Sequence, residues 1–372
     1  MTNHKKKNNY ILNFFLQANI ISAICLFFSY CAHFVNPNNF IYISFFGLGF
    51  YLFLSINIAF VIFWLFFRKS NMLISLFVIL LCWNRITANI QFNKSKIPEN
   101  SKELLKVMTY NTRFFNYYHW ENLNNIKTTD NILNLISKES PDIICFQEFF
   151  SDNSKYFNLK KINSKYPAAK FHYIKSYWNN KDFFSMAIFS KYKIINSNNI
   201  FVSDKIRNFC IYSDILYKKD TIRIINIHLQ SIRLDTSDYN FLTKIKDKTN
   251  ENKYLIQGSK KLIWKLKAGF QKRARESEII SLVIKNSPYP VIVCGDFNDT
   301  PASYAYNKIS KNLSDSYIEK GYGIPKTCLK NFLFSRIDYI LFSNYFKSVY
   351  YKVIKKKYSD HYPVITYLKN YN

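Results

Sequence analysis

PVIVCGDFND, residues 290–299, decides how this chain is read. PVIVC reads as a buried strand, the glycine behind it permits a tight turn, and Asp296 and Asn298, two positions apart, can both project from the loop. A Gly-Asp turn after a strand is usually structural. Here a Phe stands between two polar residues and TPASY opens a helix behind them, which raises the functional reading. Six further strand-like runs end in polar signals: Asn111 in VMTYN, Glu148 in IICFQE, SMAIFSKY at 185–192, His228 in INIHL, Asp338 in RIDYI and Asp360–His361 in SDH. Burying an unpaired carboxylate is costly. A chain that ends strand after strand in carboxylates, amides and imidazoles is most simply building one polar site on a sheet rim. That mixture suits a hard metal ion and a phosphate ester.

The rest of the pattern surrounds those signals. LLKVMTY (104–110), PDIICF (141–146), SRIDYILF (335–342) and PVITYL (363–368) read as strands, and FCIYSDILY with TIRIINI reads as a hairpin turning at Lys218-Lys219-Asp220. TTDNILNLISKES (128–140) and roughly 259–285 read as helices, the first with Ile132, Leu133 and Ile136 on one face. Strands and helices mixed in this way imply a layered α/β domain.

Ahead of it the composition changes. Residues 1–94 hold seven Lys/Arg and no acid, and three apolar stretches, 11–34, 40–67 and 72–90, approach the roughly 20 residues that span a bilayer. The third reaches that length only by passing Arg85, which would snorkel to the interface. Positive charge sits at Lys5–Lys7 and Arg68–Lys69, whereas the 35–39 loop has none. The positive-inside bias places the former in the cytoplasm, so three spans deliver the domain to the outer face. The organisation expected is a membrane anchor over 1–94, a polar linker over 95–103 and a catalytic domain over 104–368, giving a multi-pass cell-membrane protein.

The chain has 52 Lys+Arg against 24 Asp+Glu, a net charge of +28. Such a surface attracts nucleic acid or anionic lipid, but a composition rich in Lys, Asn, Ile, Phe and Tyr weakens charge as an argument about substrate. The seven cysteines show no C-x-x-C spacing, so neither a zinc site nor a disulfide framework is indicated. No protein partner is inferred.

Each candidate has a chemistry that fits its residue type. Glu148, taken with Asn111 and the aspartates, suits Mg²⁺, which prefers oxygen donors and few carboxylates. Asp338, inside an apolar run, needs a buried partner, and His361 is the natural one. A carboxylate on one imidazole nitrogen fixes the tautomer, leaving the other nitrogen to activate water or, as imidazolium, to bind a phosphate oxygen. With neutral His361 as the base, loss of Asp338 would move the acid limb of the pH profile down. His228 and Asn298 can donate to a phosphodiester oxygen.

TYN at 109–111, QE at 147–148, MAIFSKY at 186–192, NIHL at 226–229, GDFND, RIDYI and SDH, in this order, resemble the motif set of the endonuclease/exonuclease/phosphatase superfamily. That superfamily takes in pancreatic-type deoxyribonucleases, apurinic endonucleases, inositol polyphosphate 5-phosphatases and neutral sphingomyelinases. The resemblance implies a four-layer α/β sandwich using Mg²⁺ or Mn²⁺. It implies Glu148 as the metal carboxylate with Asn111 close by and Asp360 near the metal or the nucleophile. Asp296 and Asn298 would orient water and bind phosphate, Asp338 would orient His361, and His228 would contact phosphate. Apolar spans ahead of the domain resemble a membrane-anchored bacterial branch. Ser185 stands where the family usually has Gly, an aromatic residue is missing near Thr327–Cys328, and 232–258 reads as an insertion. The expected activity is phosphodiester hydrolysis with nucleic acid favoured; the alternatives are a phospholipid or sphingolipid phosphodiesterase and a phosphatase of the same fold. A catalytically dead receptor should have lost one of Glu148, Asp296, Asn298 or His361, and all four are present.

Overall fold

The structure, a computed structural model, describes residues 2–115, 124–150, 170–178, 181–201, 209–232, 234, 237–238, 241, 252–329 and 336–371. Five helices open the chain: α1 (Thr2–Cys31), α2 (Tyr42–Leu48), α3 (Phe50–Phe67), α4 (Met72–Leu81) and α5 (Trp83–Asn89). Two segments, Asn9–Cys31 and Phe50–Phe67, are long and apolar enough to cross a membrane, and a third exists only if the pair bent by 63° around Cys82 is one span. The expected single stretch 40–67 is therefore two helices. In the short α2, Gly47 allows close packing: a Cβ there would lie 2.8 Å from the Ala32 side chain and 3.3 Å from the Ala302 carbonyl.

Asparagines within the apolar stretches hold the helices to one another. Asn19 Nδ2 donates to Ser75 Oγ at 2.5 Å, and Trp64 Nε1 donates to Asn19 Oδ1 at 2.8 Å. Ser75 Oγ in turn donates to Asn57 Oδ1, and Asn57 Nδ2 reaches Ser22. Interhelical hydrogen bonds of this kind act where lipid supplies no alternative partner.

Two six-stranded sheets form the body that follows. One is ordered β13-β14-β2-β3-β5-β4, built from Leu105–Asn111 (β2), Ile143–Gln147 (β3), Lys170–Trp178 (β4), Lys181–Ser190 (β5), Phe346–Val353 (β13) and Val364–Asn370 (β14). The other is ordered β10-β12-β9-β8-β7-β6, from Lys193–Phe201 (β6), Phe209–Tyr217 (β7), Asp220–His228 (β8), Val291–Asp296 (β9), Ser314–Asp315 (β10) and Asp338–Phe342 (β12). A small ladder pairs Gln91–Phe92 (β1) with Tyr322–Gly323 (β11).

Side-chain alternation assigns the layers. Leu105 and Val107 of β2, Ile143 and Cys145 of β3, Ile222 and Ile224 of β8, and Ile292 and Cys294 of β9 meet in one cluster between the sheets. Met108, Tyr110, Ile144 and Phe146 face outward onto Ile132, Leu133 and Ile136 of α6 (Asn124–Glu139). Ile225, Ile227 and Val293 face the other way, onto Ile280 of α7 (Asn252–Lys285) and Ile309 of α8 (Tyr304–Ser310). Helix, sheet, sheet and helix make the expected four-layer sandwich. The long helix starts at Asn252 rather than near 259, because Gly258 does not interrupt it. Of the insertion expected over 232–258, residues 233, 235–236, 239–240 and 242–251 lie outside the described residues, as do 330–335.

The helical region is docked on this sandwich. Arg85 Nη1 donates to the Pro301 carbonyl at 3.1 Å, so the arginine expected to snorkel grips the loop behind GDFND instead. Asn36 Nδ2 donates to Glu278 of α7 at 2.8 Å, and the Phe45 ring packs edge-on against Phe270. Arg336 is buried between the rings of Tyr317 and Tyr339. It donates to Asp315 at 2.6 Å and to the Ala88 carbonyl at 2.8 Å, joining α5 to the second sheet.

Removing one partner of a buried ion pair strands the other charge. Asp315→Asn should therefore cost about 3–5 kcal/mol of stability. Thermal unfolding of the full chain should show a clearly lower midpoint for the variant, and an unchanged midpoint would mean that Arg336 is satisfied by its carbonyl and rings alone.

Candidate active site

Strand register brings the polar strand ends together. In the first sheet parallel β2 and β3 place Asn111 beside Gln147, with Glu148 next along. In the second, parallel β8 and β9 place His228 beside Asp296, and antiparallel β12 places Asp338 opposite Asp296. Asn111, Gln147, His228 and Asp296 continue the alternation that points Val107, Cys145, Ile224 and Cys294 between the sheets. They therefore meet at the rim of the inter-sheet layer. The end of β9 needs its glycine: Gly295 has φ of 149°, and a Cβ would lie 2.0 Å from the Ile227 carbonyl.

Six of the predicted residues form one connected set. Asn111 Nδ2 donates to Asp296 Oδ2 at 3.0 Å and reaches Glu148 Oε1 at 3.4 Å. His228 Nε2 lies 3.7 Å from both of those carboxylates. His361 Nδ1 sits 3.0 Å and 3.1 Å from the two oxygens of Asp338, and its Nε2 is 3.7 Å from Asp296 Oδ2. Asn298 joins through its backbone, donating to Asp296 Oδ1 at 2.8 Å, while its Nδ2 donates to the Leu229 carbonyl. Asp360 lies one step away, paired with Arg113 Nε at 3.4 Å. Ser185 lies in β5, with no described side chain.

Glu148 and Asn298 both hold left-handed backbone, with φ of 46° and 51°. Such conformations cost energy in non-glycine residues and persist where the surroundings impose them. At Glu148 the surroundings are Thr112 Oγ1 and the Phe114 amide, both donating to its carbonyl, at 2.8 Å and 2.7 Å.

The electrostatics follow from crowding. Burial, with Asp338 adding to it, pushes the Asp296 carboxyl up to about 6 against the opposing pull of His361, His228 and the Asn298 amide. Burial and Asp360 raise Glu148, although its side chain keeps 27% of its exposure and opens to solvent. At His361 burial opposes the charge, but Asp338 and Asp296 outweigh it and hold the imidazolium well above its ordinary range. The two carboxylates thus favour the imidazolium, one of the two forms that the sequence left open for this ring.

A divalent cation fits the chemistry of these donors. Asp296, Asp338 and His361 place ligand atoms within 4.8 Å of one another, a buried group that could hold a metal ion. In that group His361 Nδ1 is already engaged by Asp338. The predicted set of Glu148, Asn111 and Asp360 offers oxygen donors on the open side. A cation between Glu148 and Asp296 would need Asn111 turned so that its Oδ1, now accepting from the Arg113 amide, faces inward.

Several supporting residues went unassigned in the sequence. Gln147 Nε2 donates to Asn226 Oδ1 at 2.6 Å, and Asn226 Nδ2 donates to the Phe146 and Ala187 carbonyls, tying the two sheets beneath the site. Thr327 Oγ1 accepts from the Ile337 and Asp338 amides where an aromatic residue was expected nearby. Arg273 Nε donates to Asp299 at 2.8 Å, anchoring the GDFND loop to α7. The only signal for Gln147 and Asn226 was their place inside the QE and NIHL motifs.

Comparison with known proteins agrees with this geometry. The family model described as the Endonuclease/Exonuclease/phosphatase family matches residues 108–361, and the chain belongs to that family. It is a phosphoric ester hydrolase of that family, whose members are typically dependent on divalent metal. A second model, described as a domain of unknown function, matches residues 12–89. No curated protein matches. Among solved structures, the chain is similar to a mannosyl-6-phosphatase of Bacteroides thetaiotaomicron at 19% identity and a TM-score of 0.51, covering 71% of this chain and 99% of that one. It is similar to the human Nocturnin catalytic domain with bound sulfate anion at 18% identity and 0.51, covering 72% and 95%. It is also similar to D. rerio TDP2 complexed with single strand DNA product, at 14% identity and 0.51, covering 72% and 99%. At these identities the likeness is one of fold.

If protonated His361 is the working form, activity falls as pH rises through its raised pKa. Asp338→Asn removes the nearer carboxylate, lowers that pKa and should shift the high-pH limb of kcat/KM towards lower pH. Measured with His361→Ala and the double variant, the losses should be strongly non-additive, because residues acting as a unit cannot be lost twice. A limb that stays in place, with additive losses, would uncouple the pair.

Proposed function

We propose that this member of the endonuclease/exonuclease/phosphatase family is a membrane-anchored phosphodiesterase that uses Mg²⁺ or Mn²⁺, with nucleic acid as its first substrate class. The observation that carries the reading is the convergence of Asn111, Glu148, His228, Asp296, Asp338 and His361 on one rim. Glu148 and Asn111, with Asp360 behind them, would hold the cation, which when bound supplies charge neutralisation at a phosphoryl oxygen and favours hydroxide over water.

The chain's own residues do the rest. Asp296, with its pKa pushed up to about 6, is basic enough to take a proton from water held between it and Asn298. That water attacks phosphorus in line with the leaving oxygen, one P–O bond forming as the other breaks, and the leaving oxygen keeps the bond pair and takes a proton from solvent to depart as the alcohol. His361 as imidazolium donates through Nε2 to a non-bridging phosphate oxygen, with Asp338 fixing Nδ1. His228, from the neighbouring strand, and the second hydrogen of Asn298 Nδ2, whose first goes to the Leu229 carbonyl, offer further donors.

A phospholipid or sphingolipid headgroup is the second reading, and a specific contact favours it. Leu48 of α2 packs against Cys328 and Ile337, while Cys328 bridges to His361 through the backbone. The catalytic histidine thus lies within two residue contacts of the helical region. Arg68 donates to Asn9 and Asn13, which puts it at the end of the bundle beside the α1 start. The contacts with the catalytic domain come from the other end, at Asn36 in the connection after α1 and at Arg85 and Ala88 of α5. With the basic flanks in the cytoplasm, this arrangement supports an extracytoplasmic catalytic domain.

The full-length protein with Mg²⁺ should cleave single-stranded DNA or RNA, lose that activity to chelator, and fall by orders of magnitude in Glu148→Gln with unchanged unfolding. Hydrolysis of sphingomyelin or phosphatidyl headgroups with nucleic acid untouched would select the second reading. Activity surviving exhaustive chelation would overturn the metal assignment.

A further inference from the structure

The long helix α7 carries an exposed stripe that the catalytic site does not use. Ile256, Ile263 and Trp264 are 54%, 52% and 70% exposed, and Lys260 and Lys267 stand between and beyond them, also exposed. Spacings of three and four residues put all five on one face of the helix. Residues 252–275 contain eight Lys/Arg and no acid. Of these, Lys261 and Lys265 pair with Asp238, and Arg273 pairs with Asp299; Lys260 and Lys267 are the exposed ones that share the face of Ile256, Ile263 and Trp264.

The same face, continued towards the C-terminus, is the one that meets the helical region. Phe270 packs on Phe45, the Gln271 carbonyl accepts from Asn38 Nδ2, and Glu278 accepts from Asn36 Nδ2. In helical register, positions 256, 260, 263 and 267 run into 271 and 278. The anchor residues touched, 36, 38 and 45, all belong to the connection between the candidate spans α1 and α3. Contacts from Phe270 to Glu278, eight steps or about 12 Å of helix at 1.5 Å per residue, mean that α7 runs along this connection rather than away from it. Beyond Phe270 the stripe leaves the protein's own helices and would next meet what surrounds them.

We propose that the N-terminal half of α7, Ile256–Lys267, lies on the bilayer surface as an interfacial amphipathic helix. It seats Ile256, Ile263 and Trp264 at the headgroup boundary, with Lys260 and Lys267 against anionic lipid. Apolar and aromatic residues beside lysines on a helix face are the composition that binds this interface. The inference rests on the reading that Asn9–Cys31 and Phe50–Phe67 cross the membrane. Through Arg273–Asp299, a lipid-seated α7 also fixes how far the GDFND loop stands from the bilayer.

Full-length protein in nanodiscs tests this without any activity measurement. Discs of phosphatidylcholine, with or without phosphatidylglycerol, would carry chains brominated near the headgroup, and the Trp264 signal is the difference between wild type and Trp264→Phe. Trp264 should be quenched by the brominated lipid and several-fold less accessible to aqueous iodide than in detergent. Lys260→Glu with Lys267→Glu, both at exposed positions, should weaken the quenching most in discs containing phosphatidylglycerol. Iodide access equal in discs and detergent would overturn the proposal. So would shielding of Trp264 by a single-stranded oligonucleotide but not by lipid, which would make the stripe a nucleic-acid surface. Failure of the protein to enter discs at all would instead remove the span reading, and the inference with it.

Discussion

Asp296 and Asp338 face each other across the β9–β12 ladder, both buried, and the site is possible only because His361 bridges them. Two carboxylates side by side in a dry layer repel, and each would lift the other's pKa. The imidazolium answers both, one through Nδ1 and the other across 3.7 Å from Nε2. The remaining charges are arranged around that balance. Asn111 donates to Asp296 from the other sheet, and the Asn298 amide donates from the turn. Even so, Asp296 keeps a raised pKa of about 6, so its charge is incompletely compensated. An incompletely compensated buried carboxylate is what a cation or a transferable proton would relieve. The same deficit that destabilises the folded chain gives the site its chemistry.

That balance depends on the two sheets not sliding. The cross-sheet hydrogen bonds of Gln147, Asn226 and Asn111 fix the register between them beneath and beside the carboxylates. The GDFND turn is held from two further sides. Arg273 of α7 grips Asp299, and Arg85 of the helical region grips Pro301. The helical region is therefore part of the structure that shapes the catalytic loop, and its boundary with the sandwich is blurred: β1 (Gln91–Phe92) already pairs with β11.

Much of this was legible because period-2 alternation has only one reading. A strand that buries Val107 and Cys294 between the sheets must send Asn111 and Asp296 the same way. The strand ends and the Asp338–His361 contact followed from strand patterning and from the cost of a lone buried carboxylate, whereas the four layers were implied by the family resemblance. The elements that escaped lack those signals. KIINSNNIF and FKSVYYKV lie on sheet edges, with polar residues that no buried pattern marks as strands. The helices beside the break at Gly49 and the bend at Cys82 meet the sandwich through Gly47 against Ala302 and Arg85 against Pro301, residues more than 200 positions away, and no local rule carries that information.

The protonation state of His361 was the part least accessible to sequence. A His beside one Asp can be a neutral base or an imidazolium, and the choice depends on whether a second carboxylate lies on its far side. Asp296 does, but only because β12 runs antiparallel to β9 with Asp338 opposite it. Charge at that ring is therefore a property of register. A shift of one residue in this ladder would turn Asp338 to the other face, leave His361 with a single carboxylate, and return the site to base chemistry with the same residues.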